Sequence, residues 1–300
     1  MHDIVLIPTF RRPEYLTLCL EHIVEAMAQA DGWKQVIVMH DQHTMESVET
    51  TRQVVRSFQE KLQVEFDVRK PHQYYGNSYN CLELYKTAFD AGTARYIYLI
   101  EDDVLVTPDF FAWHEAVQER GDYFATVGWK CMRNKDFKQS DDPSGYIETN
   151  KDFASIGICW RPDKLRTFIR HATPEYYSNS DAYLRKAFPN SRYHGGWTEQ
   201  DGIVTRMLEE TNDRWIAWPS RSRCTHVGIS GYHRNAGYKF AGQNAGRNIN
   251  ECVDELRHAV RTPGRLAQLS QDPFNDVDVL PTVGAWAPED LHVTQRLGIV

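Results

Sequence analysis

Strand-like and helix-like hydrophobic periods alternate through the first hundred residues, and this alternation limits the fold more than any other feature of the chain. Ile4-Val5-Leu6-Ile7 is a short unbroken apolar run, as expected of a strand buried on both faces. Pro13 follows where a first helical turn begins, and Leu16, Leu20, Ile23 and Met27 then make one apolar helix face. Val36 to Met39 predicts a second buried strand. Residues 44–61 predict a helix with Val48, Val55 and Phe58 on one side, and Val64, Phe66 and Val68 alternate as a third strand. Residues 78–91 return to helical spacing through Leu82, Tyr85 and Phe89, and Tyr96 to Ile100 is a fourth apolar strand. Strand, helix, strand, helix at this spacing predicts an α/β fold: a mainly parallel, Rossmann-like sheet with right-handed crossovers and helices on both faces.

In open sheets of this kind, ligands bind outside the carboxyl ends of the strands. That rule selects four stretches: Pro8 to Arg12, His40 to His43, Lys70 to Asn80, and Glu101 to Asp103. All four are rich in polar residues, and their agreement predicts a site there.

The second half is less regular. Phe124 to Trp129, Ala154 to Trp160 and Trp215 to Trp218 predict strands, and residues 162–170, 181–187 and 200–210 predict helices. Pro219 to Asn250 contains no Asp or Glu and reads as long loops, which in compact domains usually serve function. The expected division is a nucleotide-binding half over 1–130, an acceptor-binding and catalytic half of the same domain over 131–260, and an extended tail over 261–300. The net charge of −7 argues against a uniformly basic nucleic-acid binder, though not against a local basic patch. The stretch after Met1 has no secretory-signal pattern, and no apolar run approaches the roughly 20 residues of a membrane span. The six cysteines are scattered singly, as expected of buried thiols in a reducing compartment rather than zinc knuckles. The expectation is a soluble, cytoplasmic protein.

Glu101-Asp102-Asp103 ends the fourth strand. Three carboxylates in such a place are costly unless something pairs with them. Alternation along an extended segment would put Glu101 and Asp103 on one side and Asp102 on the other. Hard cations such as Mn2+ and Mg2+ take carboxylate oxygens, completing their shells with substrate phosphates. The bland alternative is an acidic cap for a helix starting near Pro108. A cap needs one carboxylate rather than three, and Thr107 or Asp109 could supply it.

Ile4-Val5-Leu6-Ile7-Pro8-Thr9-Phe10-Arg11-Arg12-Pro13 resembles the opening strand and loop of the family 2 glycosyltransferases. The run from Tyr98 through Glu101-Asp102-Asp103 to Phe111 resembles their Asp-x-Asp strand, and more closely the Glu-Asp-Asp version in the N-acetylglucosaminyltransferase I family. The likeness spans residues 3–235 and implies a GT-A fold and a UDP-sugar donor. It implies that Thr9, Arg11 and Asp41 hold the base and ribose, that Asp102 contacts ribose or a metal-bound water, and that Asp103 binds the metal. Asn80, on the first turn of its helix, suits a pyrimidine contact. Asn77 fits a plain turn equally well, and His43 is read as a supporting or surface residue.

Thr198-Glu199-Gln200-Asp201 opens a helix, where the dipole alone explains both acids. An inverting transferase also needs one carboxylate to take the acceptor's hydroxyl proton. By the resemblance Asp201 fills that slot, with Glu199 in reserve. Arg223 to Gly231 resembles the segment that closes over the sugar nucleotide, which would make Arg223 a diphosphate contact. His226 would then be a metal ligand or a second diphosphate contact. Arg221, Arg223, Arg234, Lys239 and Arg247, interleaved with Tyr232, Tyr238 and Phe240, could neutralise a diphosphate or track a nucleic-acid backbone. The acceptor class therefore stays open: a glycan, a small molecule, a protein, or a hydroxymethylated base in DNA, which would have to be flipped out. Two other readings compete. A nucleotidyltransferase-like enzyme predicts a glycine-rich phosphate loop, and Pro8 to Pro13 contains no glycine. A non-catalytic carbohydrate- or nucleic-acid-binding module would need no carboxylate triplet.

Overall fold

A computed structural model describes residues 2–41, 45–69, 76–90, 94–130, 142–151, 153–192, 200–211, 213–228, 255, 257–258 and 286–298. The first half runs β1 (His2–Thr9), α1 (Pro13–Met27), β2 (Lys34–Asp41), α2 (Met45–Phe58), β3 (Val64–Arg69), α3 (Asn77–Asp90), β4 (Ala94–Leu99) and β5 (Val104–Val106). The second half runs α4 (Phe110–Arg120), β6 (Ala125–Val127), β7 (Gly145–Thr149), β8 (Ile158–Trp160), α5 (Pro162–Ile169), α6 (Pro174–Ser178), α7 (Ser180–Ala187), α8 (Gln200–Glu210), β9 (Ile216–Pro219), β10 (Cys224–His226) and β11 (His292–Leu297).

Nine strands form one sheet in the order β11-β7-β9-β6-β8-β4-β1-β2-β3. β3, β2, β1 and β4 are parallel, which the apolar runs predict, because parallel strands are covered on both faces. Every residue of β2 is buried. Beyond β4 the sheet turns mixed, with β8 antiparallel to both β4 and β6. Helices cover both faces. Tyr98 meets Phe110, Phe111 and His114 of α4. Trp160, opposite Ile97 and so on the other face, donates to the Tyr85 hydroxyl of α3 at 3.1 Å and stacks on Phe168 of α5 at 5.3 Å. Trp160 is thus a core residue.

A charged knot ties the amino ends of the strands to α4. Lys34 Nζ, buried, donates to Asp3 and to Glu115, each at 2.7 Å, and lies 5.0 Å from the Phe111 ring. Arg95 pairs with the same two acids from the more exposed side.

Three elements depart from the periodicity. Residues 224–226, inside the predicted loop, form β10, which pairs antiparallel with β5 as a separate two-stranded ribbon. β7 joins the sheet beside β9, and β11, within the predicted tail, adds an edge strand parallel to β7. β10 is too short to show a period, and β11 alternates little because most of it is exposed at the edge.

Candidate active site

The chain reverses as soon as β4 ends. Val104 N–H donates to Glu101 O at 2.9 Å, so residues 101–104 make a tight turn instead of continuing extended. The expected alternation of the three acids therefore fails: Asp102 and Asp103 lie together, and one guanidinium bridges them. Arg12 Nη1 donates to Asp103 Oδ2 at 2.6 Å, and Nη2 donates to Asp102 Oδ1. Thr9, at the end of β1, donates its hydroxyl to Asp102 Oδ2 at 2.7 Å. Asp102 is fully buried and Asp103 is 4% exposed.

These surroundings split the titration of the two acids. Burial raises the Asp102 carboxyl, against the pull of Arg12. Burial also works to raise Asp103, but Arg12 and His226 outweigh it and hold this carboxyl well below the usual range. Burial opposes the charge on Arg12 as well, and the two acids more than restore it. At neutral pH the site therefore carries an ionised Asp103 beside a charged Arg12.

The β5–β10 ribbon brings in the imidazole. Its register pairs His226 with Val104, and Val227 N–H continues the ladder to Asp103 O at 2.8 Å. His226 Nε2 thereby comes to 3.4 Å from Asp103 Oδ2. Gly228 lies against the same carboxylate: a Cβ there would stand 2.4 Å from Asp103 Oδ2 and 3.1 Å from His226 Nε2.

Among the described residues, no three His, Cys, Asp or Glu side chains converge as a full metal cage. The fit to a divalent cation rests on fewer groups. Asp103 Oδ1 is buried with no hydrogen-bond partner among the described residues, and a carboxylate oxygen is the kind of ligand hard cations take. An imidazole nitrogen stands beside the same carboxylate. These groups suit a cation that completes its shell with phosphate oxygens and water.

The other predicted residues fall as follows. Asp41 is buried at the carboxyl end of β2, one residue past the His40 that pairs with Thr9. Asn80 is buried on the first turn of α3. Arg11 is exposed and has φ +54°, the left-handed region, alone in this among the described non-glycine residues. Asp201 is half-buried in the first turn of α8, which packs on α3. Glu101 and Asp201 both act electrostatically on the Tyr85 phenol of α3. Glu199, Thr198 and His43 lie outside the described residues, as do the Asn77 side chain and the basic stretch beyond Gly228.

Two placements differ from the sequence reading. Arg223 is fully buried; it donates to Pro143 O, lies 3.4 Å from Asp109 Oδ2 and sits over the Trp113 and Trp286 rings. Its guanidinium packs at the base of the ribbon. Thr9 and Asp102, expected to face the donor, instead spend their polar atoms on each other and on Arg12. Arg12, rather than Arg11, is the basic residue that bridges both acids. Only the charge balance of the triplet signalled that some cation had to be there.

No protein-family model and no curated protein matches this chain. Among solved structures, it is similar to S. aureus TarS 1-349 in complex with UDP-GlcNAc, with TM-score 0.49, 15% identity, and coverage of 90% of this chain and 71% of that one. It is similar to the galactosyltransferase LgtC in complex with donor and acceptor sugar analogues, with TM-score 0.42, 12% identity, and coverage of 68% and 70%. It is also similar to the mannosyltransferase PcManGT from Pyrobaculum calidifontis in complex with GDP-Man and Mn2+, with TM-score 0.42, 14% identity, and coverage of 77% and 58%. The likenesses are distant, and the roles of individual residues rest on this chain's own geometry. Among the described residues, no helix is long and apolar enough to cross a membrane.

Proposed function

We propose that this chain is a nucleotide-sugar-dependent glycosyltransferase that uses a UDP-sugar donor and a divalent cation, Mn2+ or Mg2+, at Asp103. The observation that carries the reading is the buried Asp103 Oδ1 at the carboxyl end of β4, without a hydrogen-bond partner among the described residues, with His226 delivered beside it by the ribbon. Among the described residues, the side-chain hydrogen bonds of Asp102 and Asp103 run to Thr9 and Arg12 and not to the first turn of α4.

Asp103 and His226 would hold the cation, which when bound supplies positive charge to the diphosphate leaving group. Asp41, at the carboxyl end of β2, and Asn80, on the first turn of α3, would receive the nucleoside. Thr9 fixes Asp102, and Arg12 fixes both acids, so the carboxylate pair is set before the donor arrives, as preorganised electrostatics require. Asp201 would accept the acceptor hydroxyl proton while the acceptor oxygen bonds to the anomeric carbon and the bond to UDP breaks. That sequence inverts the anomeric centre. The acceptor is a hydroxyl compound: a glycan, a small molecule, a protein or a hydroxymethylated base in DNA.

Calorimetry of UDP binding, with Mn2+ and with chelator, on wild type and Asp103→Asn tests the reading. Binding that needs Mn2+ and is lost in the variant supports it. UDP binding that ignores both the metal and the substitution would overturn it.

A further inference from the structure

Three of the four carboxylate oxygens of Asp102 and Asp103 are already occupied, and Arg12 accounts for two of them. The chain builds this residue inward. Arg11 adopts a left-handed backbone that bulky side chains avoid, and Arg12 follows directly. Arg12 starts α1 with its carbonyl, which accepts from Leu16 N–H at 3.1 Å, but its side chain does not cap the helix. It turns back across the β1–α1 junction to the acids and lies 5.4 Å from the Tyr15 ring.

We propose that Arg12 is a built-in counter-cation that suppresses capture of a free divalent ion, so that metal enters the site together with the nucleotide diphosphate. The proposal rests on reading Asp103 as the metal ligand. Two carboxylates and one guanidinium leave this cluster a net charge of only −1. A lone divalent ion at Asp103 Oδ1 would also face a guanidinium held 2.6 Å from the sister oxygen of the same carboxylate. At separations of about 5 Å and an effective dielectric near 20, one unit charge beside a divalent ion changes its affinity by well over tenfold. A diphosphate brings the missing negative charge and offers the guanidinium another acceptor. Metal and nucleotide then strengthen each other's binding by the same factor.

The test titrates Mn2+ alone, and Mn2+ with saturating UDP, into wild type, Arg12→Gln and Arg12→Lys, with melting temperatures in chelator and in Mn2+. Wild type binds Mn2+ alone weakly and at least about tenfold more tightly with UDP. Arg12→Gln binds Mn2+ alone well over about tenfold more tightly than wild type, shows a smaller gain from UDP, and melts lower in chelator with recovery on Mn2+ addition. Arg12→Lys, a point charge that cannot span both acids, binds Mn2+ alone severalfold more tightly, and it carries the test if the glutamine variant does not fold. If wild type takes Mn2+ with UDP but the variants bind Mn2+ alone no better than wild type, the counter-cation role is overturned and the metal site stands. If no form binds Mn2+ with or without UDP, the metal reading and this proposal fall together.

Discussion

Replacing Gly228 with alanine adds one methyl group to the most crowded point of the site. The new Cβ would stand 2.4 Å from Asp103 Oδ2, 3.0 Å from His226 Cε1 and 3.1 Å from His226 Nε2. Ordinary contact begins near 3.4 Å, so the Asp103 oxygen must yield by about 1 Å. The carboxylate is held by Arg12 and the imidazole by the ribbon register, so that shift disturbs the two candidate ligands together. Catalytic groups need placement within about 0.5 Å, and a 1 Å error costs on the order of a hundredfold in rate. The fold should suffer less, because overpacking by one methyl group costs about 1–3 kcal/mol. The expected outcome is Mn2+-dependent UDP affinity and sugar transfer reduced by roughly a hundredfold, with a native circular dichroism spectrum and a modest drop in melting temperature. Calorimetry and a UDP-release assay read the first, thermal denaturation the second. A Gly228→Ala protein with wild-type UDP binding and turnover would refute the placement of the chemistry at Asp103 and His226.

Asp201→Asn should leave Mn2+-dependent UDP binding intact and slow transfer by about 10²–10⁴-fold; unchanged transfer at saturating acceptor would remove Asp201 from the proton-accepting role. Lys34→Met strands two buried acids at the far end of the sheet, a loss of about 3–5 kcal/mol. Arg95 still pairs with both acids, so urea denaturation should read the lower end, and a loss below about 1 kcal/mol would show that Arg95 alone suffices. Burial, with Arg170 and Arg214 nearby, lowers the His171 imidazole from 6.5 to about 4. Above pH 6.5 the ring is neutral in both folded and unfolded chains; below it the unfolded chain binds the proton first. Stability should therefore decline from pH 6.5 down to about 4, by up to about 3 kcal/mol. A His171→Phe variant should lose that part of the slope, and an identical slope in both proteins would exclude the residue as its source.

The parallel half of the sheet was legible in the sequence because burial on both faces leaves an unbroken apolar run, as in Ile4 to Ile7, and amphipathic helices leave a period. The candidate site was legible for the same reason: ligands gather at the carboxyl ends of such strands, and Glu101-Asp102-Asp103 follows directly on β4. The individual contacts were not. Arg11 and Arg12 are chemically equivalent in the sequence, and only the left-handed backbone at Arg11 exposes the one and turns the other into the acids. His226 and Arg223 lie three residues apart in one basic stretch. The antiparallel register of β10 on β5 sets the first against Asp103, while Arg223 is buried under Trp113 and Trp286. Sequence by itself thus determined which segments are buried and where unpaired charge gathers, since both follow from local composition and period. Which cation meets which carboxylate was decided by long-range pairing, because the partners lie 90 or more residues apart, beyond the reach of any local pattern.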